Sequence, residues 1–393
     1  MPRFTSTDPV QQKSWSLTDT PMPNSPRLPE SGLVVYGLGG AFHWFHEIFM
    51  HRLGYRPDYL IDRNAREGEH CEGIPINNDL SAQIDAACRN RYTVVVCTGN
   101  KKTFEQIHIQ LTGEGFENIV WIHELYEIHD PFGLSQETFT NANAGQALQI
   151  AAARAVFRDD LSQEIFENFI ETHRTKIPRS IPQSPPETQY LPLDIDEEIS
   201  LERIVMCGGD QETLIQLSRK IKSPLDAIAI FEPDPRGFQK FSDMQNIRNW
   251  VGDIENLTKL LVVSPCAISA ETGIASFTSA LTTFGSRLHP EGTSAVLRTT
   301  LDQTIHGIKP TYICADIEGE EINMIHGAKK TIKSFRPSLA ISVYHEASHI
   351  WKIPNLIQKI NPEYRFYLRN YTGFCAETIL YAICNKANRP APQ

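Results

Sequence analysis

DAIAIFEPDP, residues 226–235, is an apolar run that stops at a carboxylate, Glu232, and then at Asp234-Pro235, a pair suited to open a helix. An apolar run without polar alternation marks a strand buried on both faces, as in a parallel sheet. Ligands of open α/β sheets bind outside the carboxyl ends of the strands. A carboxylate at that point can accept both hydroxyls of a ribose. The plainer alternative is a solvated turn in which Asp234 caps the helix, and at this point the two readings stand level.

Working outward, IVMCGGDQET (204–213) runs a strand into Gly208-Gly209-Asp210 and then a helix. Glycines there let a ligand approach the backbone, and a helix start favours a carboxylate. The turn gains weight from lying one helix and one strand before Glu232. PTYICADIEGEE (310–321) ends a strand in Asp316, Glu318, Gly319, Glu320 and Glu321, just ahead of a helix. Acids in a first helical turn complement its dipole, which leaves Asp316 and Glu318 as the residues to face a ligand. LAISVYHEAS (339–348) ends a strand in Tyr344 and His345. An imidazole there titrates in the range of a general base, with a hydrogen bond to the neighbouring loop as the equal alternative.

The rear stretch reads as strands at 203–207, 226–231, 259–264, 311–315, 338–344, 364–369 and 377–383. Helices are expected at 211–222, 235–245, 320–334 and 350–360, with a β-hairpin insertion in 270–300. Strands alternating with helices predict a doubly wound, mostly parallel α/β sheet, here ending in an antiparallel pair joined by the turn NYTGFCA.

A second alternation fills 32–130. Strands are expected at 32–37, 58–62, 92–97 and 118–122, and helices at 41–52, 79–89 and 102–113, a smaller Rossmann-like unit. GLGGAFHW (37–44) places Gly37, Gly39 and Gly40 after its first strand, and Asp62 ends its second, making these the candidate ligand residues of the front unit. Phe42 and His43 stand where a dinucleotide fingerprint wants a third glycine, so substrate recognition or assembly is favoured over NAD, with a nucleotide-sugar ligand open. Residues 131–192 read as a helical segment followed by the proline-rich connector IPRSIPQSPPETQYLPL, because prolines bar a helix interior. The expected division is a flexible tail 1–31, a nucleotide-fold unit 32–130, the connector 131–192 and a rear domain 193–386.

The 393 residues, 41% apolar and 21% charged, have the makeup of a globular chain of more than one domain. A net charge of −10 argues against a protein that coats nucleic acid. No apolar run reaches the length of a membrane span and the N-terminus lacks a signal core, so a cytoplasmic protein is expected, with a homo-oligomer left open. The eight cysteines form no CxxC pair and several lie in apolar runs, which predicts reduced, buried thiols rather than a metal site.

FEPDP, DIEGEE with Gly327-Ala328 after it, SLAISVYHE with HIWKIP, and YRFYLRNYTGFCAETILYA occur in the order and spacing of the FkbM-type methyltransferases, as do YLPLDIDEEISLERIV and SPCAISAETGIASFTS. The chain resembles that family over about 190–384. The resemblance implies a class I methyltransferase fold and methyl transfer from S-adenosylmethionine to an oxygen of a sugar, glycan precursor or secondary metabolite. It implies that Gly208, Gly209 and Asp210 cradle the methionine part of the cofactor, that Glu232 with Pro233 holds the ribose, and that Cys266 and Ala267 line the adenine. Asp316 and Glu318 would lie near the transferred methyl or the acceptor, and His345 would take the acceptor's proton. No metal is expected.

The chain departs from the family pattern at Met206, Gln211, Glu212, Cys314 and Asn370, which keeps open a binding or scaffold protein of the same fold without turnover. HEASH (345–349) formally matches the zinc-protease HExxH, which needs one continuous helix. HWFHEIFMH (43–51) gathers His43, His46 and Glu47, with His51 further on, for which ordinary hydrogen-bonded histidines are expected before a metal site.

Overall fold

The computed structural model describes residues 28–29, 32–39, 41–42, 45–52, 54–99, 101–122, 124–125, 144–175, 179–195, 199–208, 211–221, 224–252, 257–279, 286–373 and 375–384. The expected tail 1–31 lies outside them apart from Leu28 and Pro29, and Leu28 is buried in the front core.

The front unit is a six-stranded sheet in the order β3-β4-β2-β1-β5-β6. Its strands are β1 (Leu33–Tyr36), β2 (Tyr59–Ile61), β3 (His70–Cys71), β4 (Ile74–Asn77), β5 (Thr93–Val96) and β6 (Asn118–Trp121). The pairs β1/β2, β1/β5, β2/β4 and β5/β6 are parallel. Leu33 and Val35 enter one core and Val34 and Tyr36 the other, as the period of two requires of a strand covered on both faces. β3 and β4 extend the expected four strands. They turn on Glu72 and Gly73, both at positive φ (55° and 77°), the backbone of a two-residue hairpin. The helix expected at 79–89 is instead turns and a 3₁₀ segment, Ala86–Arg91. Asp79 Oδ1 accepts the amides of Ser81 and Ala82, which diverts the chain before a helix can start. The helix expected from 41 is a π-helical segment, Phe45–Arg52, and the third helix, Lys101–Gly113, is as expected.

The rear sheet has seven strands in the order β16-β17-β15-β14-β7-β8-β9. They are β7 (Arg203–Cys207), β8 (Ala227–Phe231), β9 (Leu261–Ser264), β14 (Tyr312–Ala315), β15 (Ser338–Ser342), β16 (Arg365–Asn370) and β17 (Thr378–Ile383). β17 pairs antiparallel with both β15 and β16, and the pairs among the other five are parallel. Val205, Cys207, Ile313 and Ala315 point into one core, and Ile204, Met206, Tyr312 and Cys314 into the other. The insertion is larger than a hairpin. β10 (Cys266–Ile268), β11 (Gly273–Thr278), β12 (Arg287–Leu288) and β13 (Ser294–Thr299) form a four-stranded sheet in the order β10-β13-β11-β12.

The helices Ala144–Val156 and Asp160–Thr175, expected in the connector, send Ile150, Ala153, Ile165, Phe166, Phe169 and Ile170 into the core of the rear sheet, joined by Phe157 between them. The helix expected at 320–334 is two, Glu321–Gly327 and Lys329–Phe335. A Cβ on Gly327 would stand 2.2 Å from the carbonyl oxygen of Ser269, so only glycine lets this helix lie so close to the end of β10. Among the described residues no helix is long and apolar enough to cross a membrane, and all eight cysteines are free thiols, five of them buried.

Candidate functional site

β7 sits where the order of the rear sheet reverses, with β8 on one side and β14 on the other, and open α/β sheets bind ligands at that switch point. Backbone pairing continues past the strand ends: Gly208 N–H donates to Phe231 O, Asp316 N–H to Cys207 O and Glu232 N–H to Ser264 O, each at 3.0 Å. Gly208 has φ +85°, and a Cβ on it would come within 2.0 Å of the carbonyl oxygen of Asp316. The bend therefore requires glycine both for its backbone angle and for the closeness of the two strand ends. Met206 does not obstruct it, because its side chain is buried in the opposite core.

A cavity of about 460 Å³ opens at these ends. On one side it is lined by Gly208, Phe231, Glu232, Pro233, Ala267 and Ile268. Glu232 is 8% exposed, and its Oε1 accepts Asp234 N–H at 2.7 Å. A Cβ on Gly237 would press within 2.8 Å of the Glu232 carboxyl carbon, so glycine in the next helix leaves room for that carboxylate. Asp234 does cap the helix Pro235–Ser242, accepting Arg236 N–H, and it also takes the Arg236 guanidinium at 2.8 Å and the Ser286 hydroxyl at 2.7 Å. Burial would raise its carboxyl, but Arg236 and Ser286 hold it below the usual range. The helix-cap reading of FEPDP thus holds for Asp234, while Glu232 is buried at the cavity wall rather than in a solvated turn. Of the other residues expected here, Gly209 and Asp210 lie outside the described residues. Cys266 packs against the core of the rear sheet, and its neighbours Ala267 and Ile268 take the cavity wall.

The far side of the cavity is lined by Gln189, Tyr190, Asp316, Glu318, Tyr344 and Glu377. Tyr190 donates its hydroxyl to Asp316 Oδ2 at 3.1 Å. The Tyr344 hydroxyl stands 3.4 Å from both Asp316 oxygens and 3.2 Å from Glu377 Oε1. Gln189 Nε2 donates to Glu377 Oε2 at 2.7 Å. Tyr190, Glu318 and Glu377 carry positive φ angles of 68°, 54° and 53°. Such angles are costly for residues with a Cβ and collect where function imposes them. Burial raises Glu377, and the negative charge of Asp316 raises it further, to about 7. Burial and the same two acids push the Tyr344 hydroxyl far above its usual range.

Behind this wall stands His345, its side chain 3% exposed. Nδ1 lies 2.8 Å from Oε1 of the fully buried Glu321, and Nε2 lies 3.1 Å from Asp316 Oδ1 and 3.6 Å from Glu318 Oε2. Burial would lower the imidazole, but Glu321, Glu318 and Asp316 outweigh it and hold it well above the ordinary histidine range. His349 Nδ1 faces the other oxygen of Glu321 at 3.2 Å. The two histidines of HEASH therefore converge on Glu321, and the helix His349–Ile360 begins only at the second of them, which the protease geometry does not allow. Asp316, Glu321 and His345 place ligand-type atoms within 4.8 Å of one another. The Glu321–Nδ1 contact at 2.8 Å within this cluster also has the geometry of a hydrogen bond.

In the front unit, Gly37 has φ +91° with Cys97 O 3.0 Å from where a Cβ would stand. Asp62 Oδ2 accepts Leu38 N–H at 2.8 Å and Oδ1 accepts Asn64 N–H, so this acid ties down the loop after β1. Gly39 has open space around it. Gly40 and His43 lie outside the described residues, as do the side chains of Glu47 and His51, while His46 Nε2 is 3.3 Å from Glu72 Oε1. Ala41 and Gly99, beyond the ends of β1 and β5, line the same cavity as Glu232 and Asp316.

Gln189, Tyr190 and Glu377 were not legible as site residues. The only sequence signals are an acid at the foot of the apolar strand TILYAI and a tyrosine at the end of a proline-rich connector. Each is brought in by a turn whose course depends on the whole sheet.

Residues 209–372 match the model of the methyltransferase FkbM domain. Among solved structures, a methyltransferase FkbM from Methylobacillus flagellatus KT is similar at 20% identity, with 89% of each chain covered and a TM-score of 0.62, a likeness of fold. No curated protein matches the chain. Residues 209–372 are thus similar to the methyltransferase FkbM domain, and the glycine bend and the two strand-end acids at the switch point of the seven-stranded sheet lie in or beside that region.

Proposed function

We propose that the chain transfers a methyl group from S-adenosylmethionine to a hydroxyl oxygen of a sugar-like acceptor. The observation that carries this reading is the placing of Glu232, buried at the tip of β8, in one cavity with the Gly208 bend and Asp316. The residues present fit the cofactor. Gly208 leaves bare backbone where a side chain would block approach, Glu232 offers a carboxylate to a ribose, and Phe231, Ala267 and Ile268 give apolar walls for a base. The volume is in the range of small-molecule sites. When bound, S-adenosylmethionine supplies a methyl carbon made electrophilic by its positive sulfonium.

The protein's own part is positioning, since an in-line displacement gains most from holding both reactants. Glu232 and the Gly208 bend would hold the donor, and the polar wall of Tyr190, Asp316, Tyr344 and Glu377 would take the acceptor's hydroxyls. His345, expected as the base, is better suited to another task here. The three carboxylates around it hold its imidazole well above the ordinary histidine range, which favours the cation, and a cation there steadies Asp316 and Glu318.

A thermal-shift titration with S-adenosylmethionine and its demethylated product tests the reading. Ligand at a hundredfold its Kd stabilises by about 2.7 kcal/mol, which is several degrees in Tm. Glu232→Ala is expected to abolish the shift, since lost charge-assisted hydrogen bonds are worth about 1.5–3 kcal/mol each. No shift in the wild type at millimolar ligand would leave a methyltransferase fold serving only as a binding protein.

A further inference from the structure

Glu377 stands apart from every acid that the motifs single out. It lies at the turn between β16 and β17, on the antiparallel edge of the sheet, and yet it lines the cavity beside Asp316. Its backbone is held at φ 53°, where a residue with a Cβ is strained, so the fold spends stability to aim this side chain. Gln189 donates to one of its oxygens and the Tyr344 hydroxyl reaches the other. Each carboxylate oxygen has a second lone pair, so one acceptor position per oxygen stays available to a ligand.

From this geometry we propose that Glu377 is the residue that takes the proton from the acceptor's hydroxyl, and that the acceptor is a neutral alcohol with further hydroxyls for the surrounding polar wall. The inference rests on the methyl-transfer reading above. As the acceptor oxygen bonds to the methyl carbon, the methyl–sulfur bond breaks and its electron pair stays on sulfur. The O–H proton passes to Glu377, which returns it to water between turnovers. The sulfonium charge is lost as the proton is gained, so atoms and charge balance.

The groups that face Glu377 make it the better acceptor than its neighbour. Asp316 is already engaged by the Tyr190 hydroxyl and by His345, contacts that use its lone pairs. The charge of Asp316, added to burial, raises Glu377 to about 7, which brings its proton affinity near neutrality, where a general base is most effective. His345 and the hydrogen bonds from Gln189 and Tyr344 act the other way and do not outweigh these effects.

The test uses the full chain, tritiated S-adenosylmethionine, and a panel of methyl glycosides and nucleotide-linked sugars, with wild type, Glu377→Gln and Glu377→Asp compared across pH 5–9. The wild-type rate should climb as pH passes about 7 and level off above it, because the ionised form is the base. Glu377→Gln should be slower by about 10²–10⁴-fold, lack that limb, and keep the wild-type Tm and the S-adenosylmethionine-induced shift. Glu377→Asp should recover part of the rate with the limb displaced. A Glu377→Gln enzyme that keeps the rate or the same limb overturns the proposal while methyl transfer stands, and so does one that loses rate only because Tm or cofactor binding falls. A wild type that labels no member of the panel takes the methyl-transfer reading down, and this inference with it.

Discussion

Glu321 is a carboxylate with no exposed surface, a position that costs several kcal/mol unless opposite charge is at hand. His345 and His349 supply it, and they hold Glu321 well below the usual carboxylate range even though burial acts the other way. His345 is raised by the same contact. Because its folded pKa lies above the unfolded one, the stabilisation it brings is complete below about pH 6.5 and is lost as pH rises through the folded value. Glu321→Gln should therefore cost about 3–5 kcal/mol at pH 6, and its gap from the wild type in urea melts should narrow as pH is raised toward 10. A gap that stays constant across that range would mean that the pair is not ionised as described. At this scale the sequence showed which residue types were present, but not which of the five acids and histidines in DIEGEE and YHEASH meet. Glu321 looked like a first-turn helix acid, and only the approach of the two chain segments makes it the partner of both imidazoles.

Among the elements, strands were the most legible. β7, β8, β14 and β17 fall where apolar runs predict them, because strands buried on both faces leave no room for polar interruption. The hairpin β3–β4 had a signal, the Glu72-Gly73 turn, but its strands are too short to stand out by pattern. β16 shows what pattern cannot reveal. Arg369, 2% exposed within an apolar strand, reaches Asp159 at 2.9 Å and also pairs with Asp194, clamping the start of the helix Asp160–Thr175 and the connector to the sheet. Ser162 Oγ joins the clamp by accepting Leu368 N–H at 2.8 Å. Arg369→Ala should destabilise by about 1–3 kcal/mol, less than a fully buried pair because both aspartates remain partly hydrated. Arg369→Lys should recover less than half of that, since an ammonium cannot bridge two carboxylates with a planar fork. Denaturant midpoints of the three proteins would settle it, and equal midpoints for wild type and Arg369→Ala would reduce the clamp to a bystander.

For the whole molecule, the helices Ala144–Val156 and Asp160–Thr175 decide where the rear domain begins. Six of their apolar side chains, and Phe157 between them, lie in the core of the rear sheet. Burying each large one contributes about 1.5–3 kcal/mol, so leaving them out exposes more than the usual net stability of about 5–15 kcal/mol can bear. We therefore place the start of the folding unit at 144 rather than at the expected 193. A fragment 144–393 should unfold cooperatively and keep the S-adenosylmethionine shift, while a fragment 193–393 should be insoluble or lack a thermal transition. A well-folded 193–393 fragment would show that the helices are dispensable cover.

By itself the sequence determined the two α/β sheets and their strand ends, because apolar runs, glycine bends and strand-end acids are local and periodic. It also placed Gly208, Glu232 and Asp316, each at the tip of a strand it could locate. What only the tertiary structure decided is which groups converge on those tips: Tyr190 from the connector, Glu377 from the sheet edge, and Ala41 and Gly99 from the front unit, all brought to one cavity. Such convergence depends on crossovers and register spanning well over a hundred residues, and the charge state of each acid follows from neighbours that no local spacing encodes.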